Sequence, residues 1–345
     1  RAAAAIQEAR KLADRPRGRF QIAYSRDYIS TLMPNIQDAR QTAQVLSYDA
    51  LFRAQSGDLD GAVVSCRALV NNGRSLGDEP TLIAQLVRMA IRAIAAGQAE
   101  RTVGQGEPDA DGLAGLQRAL EEEAEEPLFQ YCMRGERAGM DRLMQSLQDG
   151  GTSVKQMQGL LNSGSRRNGG WAGEELTLYL PGTVTNNRAA LLERMNRMVE
   201  ISKLPPGEQA ARLDEQKATF AKEPLLVREL LLTATEKIAE AERRTRGLLR
   251  CTAAGLAAER YRRKYGRWPE KLDDLKGEFL RQVPLDPYDG RPLRYRKDGE
   301  GIVIYAIWKD GTDDGGDRTT LNTYKDGTDV GFRLWDVDKR RRPRK

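Results

Sequence analysis

Between Pro224 and Tyr265 the chain has no proline, and only Gly247 and Gly255 interrupt it. Leu230, Ala234, Ile238, Ala241, Thr245, Leu248, Thr252 and Leu256 recur at steps of three and four, the spacing of one helical face. Glu236, Lys237, Glu240, Glu242, Arg243 and Arg244 supply the polar face. The pattern predicts one helix of about 40 residues, ~60 Å long at the usual rise. An element of that length serves as the spine of a domain, and the rest of the chain must pack along it.

Residues 1–222 are expected to be helices joined by turns. Ala39, Ala43, Leu46, Ala50, Leu51 and Ala54 form a helical stripe that Ser56, Gly57 and Asp58 break. Asp58 suits the N-cap of a second helix through Val63, Cys66 and Val70, closed by Asn71, Asn72 and Gly73. Further helices are expected over 81–98, 111–126, 127–148 and 185–202, the last ended by Pro205 and Pro206. The turn from Ala50 to Ala62 weakly resembles that of a tetratricopeptide-type helical hairpin, but no 34-residue period follows it. Residues 162–173, rich in glycine and serine, are expected to be a flexible loop. Charged residues are 31% of the chain and aromatics 6%, which favours helices with solvated faces over a sandwich or barrel.

There is no histidine, which removes the commonest general base and metal ligand. Cys66, Cys132 and Cys251 are far apart and form no paired zinc motif. Three buried thiols are expected, the alternative being a Cys66–Cys132 disulfide. The net charge of +6 equals the contribution of Lys339, Arg340, Arg341, Arg342, Arg344 and Lys345, so a solvated basic tail over 339–345 is expected and nucleic acid is not an expected partner. No run of about 18 apolar residues occurs. The sequence starts at Arg1, and a signal or membrane anchor upstream of it is an expectation.

The last third carries the most distinctive residues. Tyr261, Gly266 and Pro269 follow the long helix, with Gly266 a natural left-handed stop. Pro284, Asp286, Pro287, Tyr288, Gly290 and Pro292 then form a turn feeding a strand. Ile302 to Trp308 reads as the next strand, and it runs into Asp310, Gly311, Asp313, Asp314, Gly315, Gly316 and Asp317. Carboxylates crowded like this repel one another unless something screens them. Hard oxygen ligands on a flexible loop are what Ca²⁺ prefers.

In this order the motifs resemble the C-terminal part of type II secretion major pseudopilins, over roughly residues 225–338. The resemblance implies a long helix packed across a small antiparallel sheet, closed by a calcium loop. Carried over to this chain, it implies Asp310 and Asp317 as the leading side-chain ligands, Asp313 and Asp314 as further ones, and main-chain carbonyls near Ile307. Lys309 to Asp313 is echoed at Lys325 to Asp329, so Asp326 or Asp329 could supply a ligand from across the sheet. The family's cleavage motif and filament-forming hydrophobic helix have no counterpart in this chain. About 220 residues of helical scaffold stand ahead of the module, and the resemblance extends to a fold and a calcium site rather than to a piston role.

The expected fold is therefore α+β and predominantly α-helical. A helical-hairpin domain over 1–222 precedes a pseudopilin-like module over 223–338. The expected function is a non-enzymatic structural or protein-binding component of the cell envelope, outside the cytoplasm, with protein partners or self-assembly. One alternative is a carboxylate-based hydrolase using Glu174 and Glu175 beside Trp171, or the loop aspartates. Another is an intracellular helical-repeat adaptor whose basic tail touches nucleic acid. Glu121, Glu122, Glu123, Glu125 and Glu126 fan around a helix and are expected on a solvated face. Trp268, Trp308 and Trp335, with Met133, Met140, Met144, Met157, Met195 and Met198, are expected in the core.

Overall fold

The structure, a computed structural model, describes residues 2–152, 183–220, 225–317 and 328–340. The glycine-rich loop over 162–173, with Trp171, Glu174, Glu175, Met157 and Asp326, lies outside the described residues. The described elements are α1 (Ala2–Arg10), α2 (Pro34–Gln55), α3 (Leu59–Arg74), α4 (Leu82–Val103), α5 (Ala110–Ala124), α6 (Leu128–Gln148), α7 (Thr183–Ser202), α8 (Pro206–Phe220) and α9 (Leu225–Tyr265). Three strands follow, β1 (Arg294–Lys297), β2 (Gly301–Ala306) and β3 (Val330–Trp335). The fold is α+β and predominantly helical, as expected.

Local chemistry sets the helix boundaries. Asp58 accepts from Gly61 N at 2.9 Å to open α3, and Thr81 accepts from Ala84 N at 3.4 Å to open α4. Asp109 caps α5 through the N–H groups of Asp111 and Gly112. Gly266, at φ +72°, ends α9 while its N–H reaches Arg262 O. Two helices were not individually foreseen, α1 and α8. Pro206 follows the end of α7 and also opens α8, because proline suits a first turn where no N–H is needed.

The spine expected from the sequence is α9. It packs against α4 and α5 on one side and against β2 and β3 on another, while α7 and α8 meet it as well. The resulting core is continuous. Leu46, Leu69, Ile91 and Leu116 of the helical part share it with Leu256, Ile304 and Phe332. The expected boundary near residue 222 falls at 221–224, outside the described residues, and the core on either side belongs to both parts. A second cluster joins Phe129, Met133, Met144, Met195 and Met198 to Ile238 and Ala239 at the earlier part of α9.

The sheet is antiparallel in the order β1-β2-β3, with Val303 opposite Arg333 and Tyr305 opposite Arg294. Ile302, Ile304 and Ala306 point to one face and join the core with Phe332 and Leu334. Gly255 of α9 makes this approach close, since a Cβ there would lie 2.2 Å from the Phe332 ring. Gly255→Val is expected to cost about 1–3 kcal/mol by overpacking, read as a lower urea midpoint with unchanged slope. A variant as stable as the parent would contradict the close packing.

The three buried thiols expected at Cys66, Cys132 and Cys251 are found, all of them free, and the alternative Cys66–Cys132 bridge does not form. Two expectations change in the folded chain. Arg340, assigned to a solvated tail, is 4% exposed and chelates Glu259 with two hydrogen bonds of 2.8 and 2.6 Å. Glu123, assigned to a solvated face, is 1% exposed and bonded to Arg74, Arg88 and Arg92. Among the described residues α4 is long and apolar enough to cross a membrane, but most of that apolar window is buried inside the fold.

Candidate functional site

The segment after β2 folds back over the sheet face opposite α9. Gly316, at φ +75°, lies so close to Val303 and Tyr305 that a Cβ would approach each within 2.8 Å. That cover explains why every residue of β2 is buried although the sheet has three strands among the described residues. Gly311 and Gly315 also sit at positive φ, a conformation that costs most residues bearing a Cβ.

Asp286 anchors the start of the loop. It is 1% exposed, and it accepts from Tyr288 N and Ile307 N at 2.8 Å each as well as from Arg294. The turn from Pro284 to Pro292 is thereby stapled to the end of β2. Burial raises the Asp286 carboxyl above its usual value, with the Asp289 charge adding to it, while the two N–H groups and Arg294 oppose the rise.

The far end of the loop is held by Asp329, just before β3. Its Oδ2 accepts from Asp314 N at 3.1 Å and Gly316 N at 2.8 Å, and its own N–H donates to Asp317 O at 3.1 Å. Its Oδ1 is buried with no hydrogen-bond partner, and so is Oδ2 of Asp314. Burial pushes the Asp329 carboxyl up to about 6, and the charges of Asp314 and Asp313 add to this against the two N–H donors.

The expected ligands separate accordingly. Asp310 is exposed and caps its own turn by accepting from Thr312 N at 3.1 Å. Asp317 is exposed, with its carbonyl bonded to Asp329. Asp313 accepts from Gly315 N at 3.0 Å and lies 3.5 Å from Arg294. Ile307 commits its N–H to Asp286. Asp314 and Asp329 are the pair with buried oxygens to spare, whereas the carried-over set led with Asp310 and Asp317. The echo between Lys309–Asp313 and Lys325–Asp329 was the sequence signal for Asp329.

Two carboxylates and nearby carbonyl groups are the right donor chemistry for Ca²⁺, which takes oxygen ligands. Among the described residues no three acidic, cysteine or histidine side chains gather into a ready-made cluster. An ion here would draw on Asp314, Asp329 and main-chain oxygen atoms.

Beside the loop lies a cleft of about 680 Å³, lined by Glu240, Tyr288, Asp289, Trp308 and Asp313 among others. Glu240 accepts from Tyr288 Oη and Trp308 Nε1 at 2.9 Å each. Asp289 accepts from Arg291 N and Arg294; burial works against it, but these donors hold its carboxyl below the usual range. These groups brace the turn against α9 through hydrogen bonds already made.

No family model matches the chain, and no curated protein or solved structure shows significant similarity to it.

Proposed function

We propose that the chain is a non-enzymatic, protein-binding component of the cell envelope whose C-terminal sheet is closed by a structural calcium ion. The observation that carries this reading is the pair of buried, unbonded oxygens on Asp314 and Asp329, at the foot of a glycine-bearing loop. A buried carboxylate oxygen without a donor is costly unless a cation compensates it. An ion there would tie the loop to the start of β3 and keep Val303 and Tyr305 covered. The motif order from Tyr261 to Asp317 supports the pseudopilin-like assignment. An extracytoplasmic site, where calcium is plentiful, suits a two-carboxylate clasp.

The helical part supplies surface suited to partners. Tyr48 and Phe52 on α2 are 63% and 70% exposed, and Ile83 on α4 is 56% exposed. Exposed large apolar side chains of this kind are common at protein contacts.

Thermal melting with and without calcium tests the proposal. Saturating calcium is expected to raise the midpoint, following mass action. Without calcium, Asp329→Asn is expected to raise it too, by about 1 kcal/mol of stability after solvent screening is allowed for. The folded protein holds the Asp329 proton more tightly than the unfolded chain, from an ordinary value of 3.8 up to about 6. Calcium-free stability should therefore fall as pH rises through that window. A wild-type midpoint unmoved by millimolar calcium would refute the proposal.

A further inference from the structure

A second cleft, of about 530 Å³, shares no lining residue with the first and lies between α6 and the segment from Arg19 to Tyr28. Two glycines of α6 allow the close approach that shapes it. A Cβ at Gly135 would sit 1.6 Å from Pro80 O, and one at Gly139 would sit 2.1 Å from the Tyr28 ring. Tyr28 itself adopts φ +64°, a costly conformation for an aromatic residue, and one that often marks functional positions.

Three tyrosines line this cleft, and each has its hydroxyl committed elsewhere. Tyr24 donates to Glu79, Tyr28 to Glu136 at 3.4 Å, and Tyr131 to Glu126 at 3.1 Å. What they offer a ligand is therefore ring surface. The rings of Tyr24 and Tyr28 stack at 6.3 Å with planes 15° apart. Glu79 and Glu136 accept the hydroxyls of Tyr24 and Tyr28, and burial raises both carboxyls above their usual value.

The rim carries a net positive charge: Asp78 is matched by Arg19 at 3.5 Å, and three further guanidinium groups remain. Arg134 and Arg142 project from α6 two turns apart, ~12 Å along its axis. Both are exposed, and neither pairs with a carboxylate among the described residues. Arg26 adds a third guanidinium, held only by an exposed contact to Asp149 at 3.8 Å. Guanidinium groups bind phosphate and carboxylate in planar, two-pronged fashion and stack on ring faces.

We propose that this cleft binds a small ligand in which a planar aromatic body carries an anionic group. The ring lies among Tyr24, Tyr28 and Tyr131, and the phosphate or carboxylate meets Arg134 and Arg142. The site is independent of the calcium loop, and neither reading requires the other.

Isothermal titration of the full chain with 1-naphthyl phosphate, 1-naphthoate, inorganic phosphate and 1-naphthol tests this. At least one of the two naphthyl anions is expected to bind at submillimolar concentration, and the tighter one identifies the anionic group. Inorganic phosphate and naphthol, each having half the chemistry, are expected to bind at least about tenfold more weakly. Arg134→Ala with Arg142→Ala should weaken the naphthyl anion by about tenfold or more. Arg101→Ala with Arg118→Ala removes two exposed charges elsewhere and should leave binding within about twofold. The melting midpoints of both double variants establish that each is folded. Absence of binding by both naphthyl anions, or equal loss in the two folded double variants, would overturn the proposal.

Discussion

Glu123→Gln is expected to destabilise the protein by about 3–5 kcal/mol, the usual result of stranding buried charge. Glu123 is 1% exposed, and its carboxylate accepts from Arg88 Nε and Nη2 at 2.8 and 2.7 Å and from Arg92 Nε at 2.8 Å. Arg74 approaches the same carboxylate at 3.2 Å. Arg88 and Arg92 are each 2% exposed, so a neutral amide would leave two guanidinium groups out of water with little to balance them. The effect should depend on pH in a defined direction. Burial alone would raise the Glu123 carboxyl, but Arg92 and Arg88 outweigh it and bring it from 4.5 to about 2. A folded value below the unfolded one gives stability that is fully present above about 4.5 and disappears as pH falls towards 2. Urea unfolding of parent and variant at pH 7 should show the full gap, and the gap should narrow on acidification below pH 4.5. A loss under about 1 kcal/mol at pH 7 would contradict the assignment of Glu123 as the hub joining α3, α4 and α5.

Arg340→Met is expected to cost about 3 kcal/mol, although the residue stands only five positions before the last residue of the sequence. Both side chains of the Arg340–Glu259 pair are fully buried, and Arg340 Nε also donates to Trp335 O at 2.9 Å. The pair joins the C-terminal end of α9 to the residues after β3. Arg262 remains as a second partner of Glu259 at 2.8 Å, which keeps the expected loss at the lower end for a buried pair. A double-mutant cycle with Glu259→Gln should give a coupling of at least about 1 kcal/mol. Additive effects would mean that the two groups do not share the site.

What was legible in the sequence follows from periodicity and turn chemistry. The steps of three and four from Leu230 to Leu256 located α9, and the capping residue Asp58 located the start of α3. The alternation from Ile302 onward located β2. Proline was ambiguous at Pro206, because the same ring that stops one helix can open the next. Charged residues were the larger difficulty. Glu121, Glu122 and Glu123 fan around the last turn of α5, and Glu125 and Glu126 lie past its end, but spacing does not reveal which one meets arginines from α3 and α4. Arg340 lay within a basic run whose composition says nothing about a partner 81 residues earlier.

The candidate site divides in the same way. The crowding of Asp310, Asp313, Asp314 and Asp317 drew attention to the loop in which Asp314 keeps a buried oxygen without a hydrogen bond. Which of them keep oxygens free depends on the backbone N–H groups each one captures. Asp310 is exposed and accepts from Thr312 N in its own turn, and Asp329 enters from across the sheet, a pairing set by strand register rather than by local spacing. Asp286 came to notice through its motif, and its task as the staple between turn and strand became visible only in three dimensions.

The calcium clasp is tested most directly by equilibrium calcium binding near neutral pH, measured by titration calorimetry on the parent and on Asp314→Asn with Asp329→Asn. The expected result is a single saturable site in the parent that is lost in the double variant, which should itself stay folded. No binding by the parent at millimolar calcium, or undiminished binding by the folded variant, would contradict it.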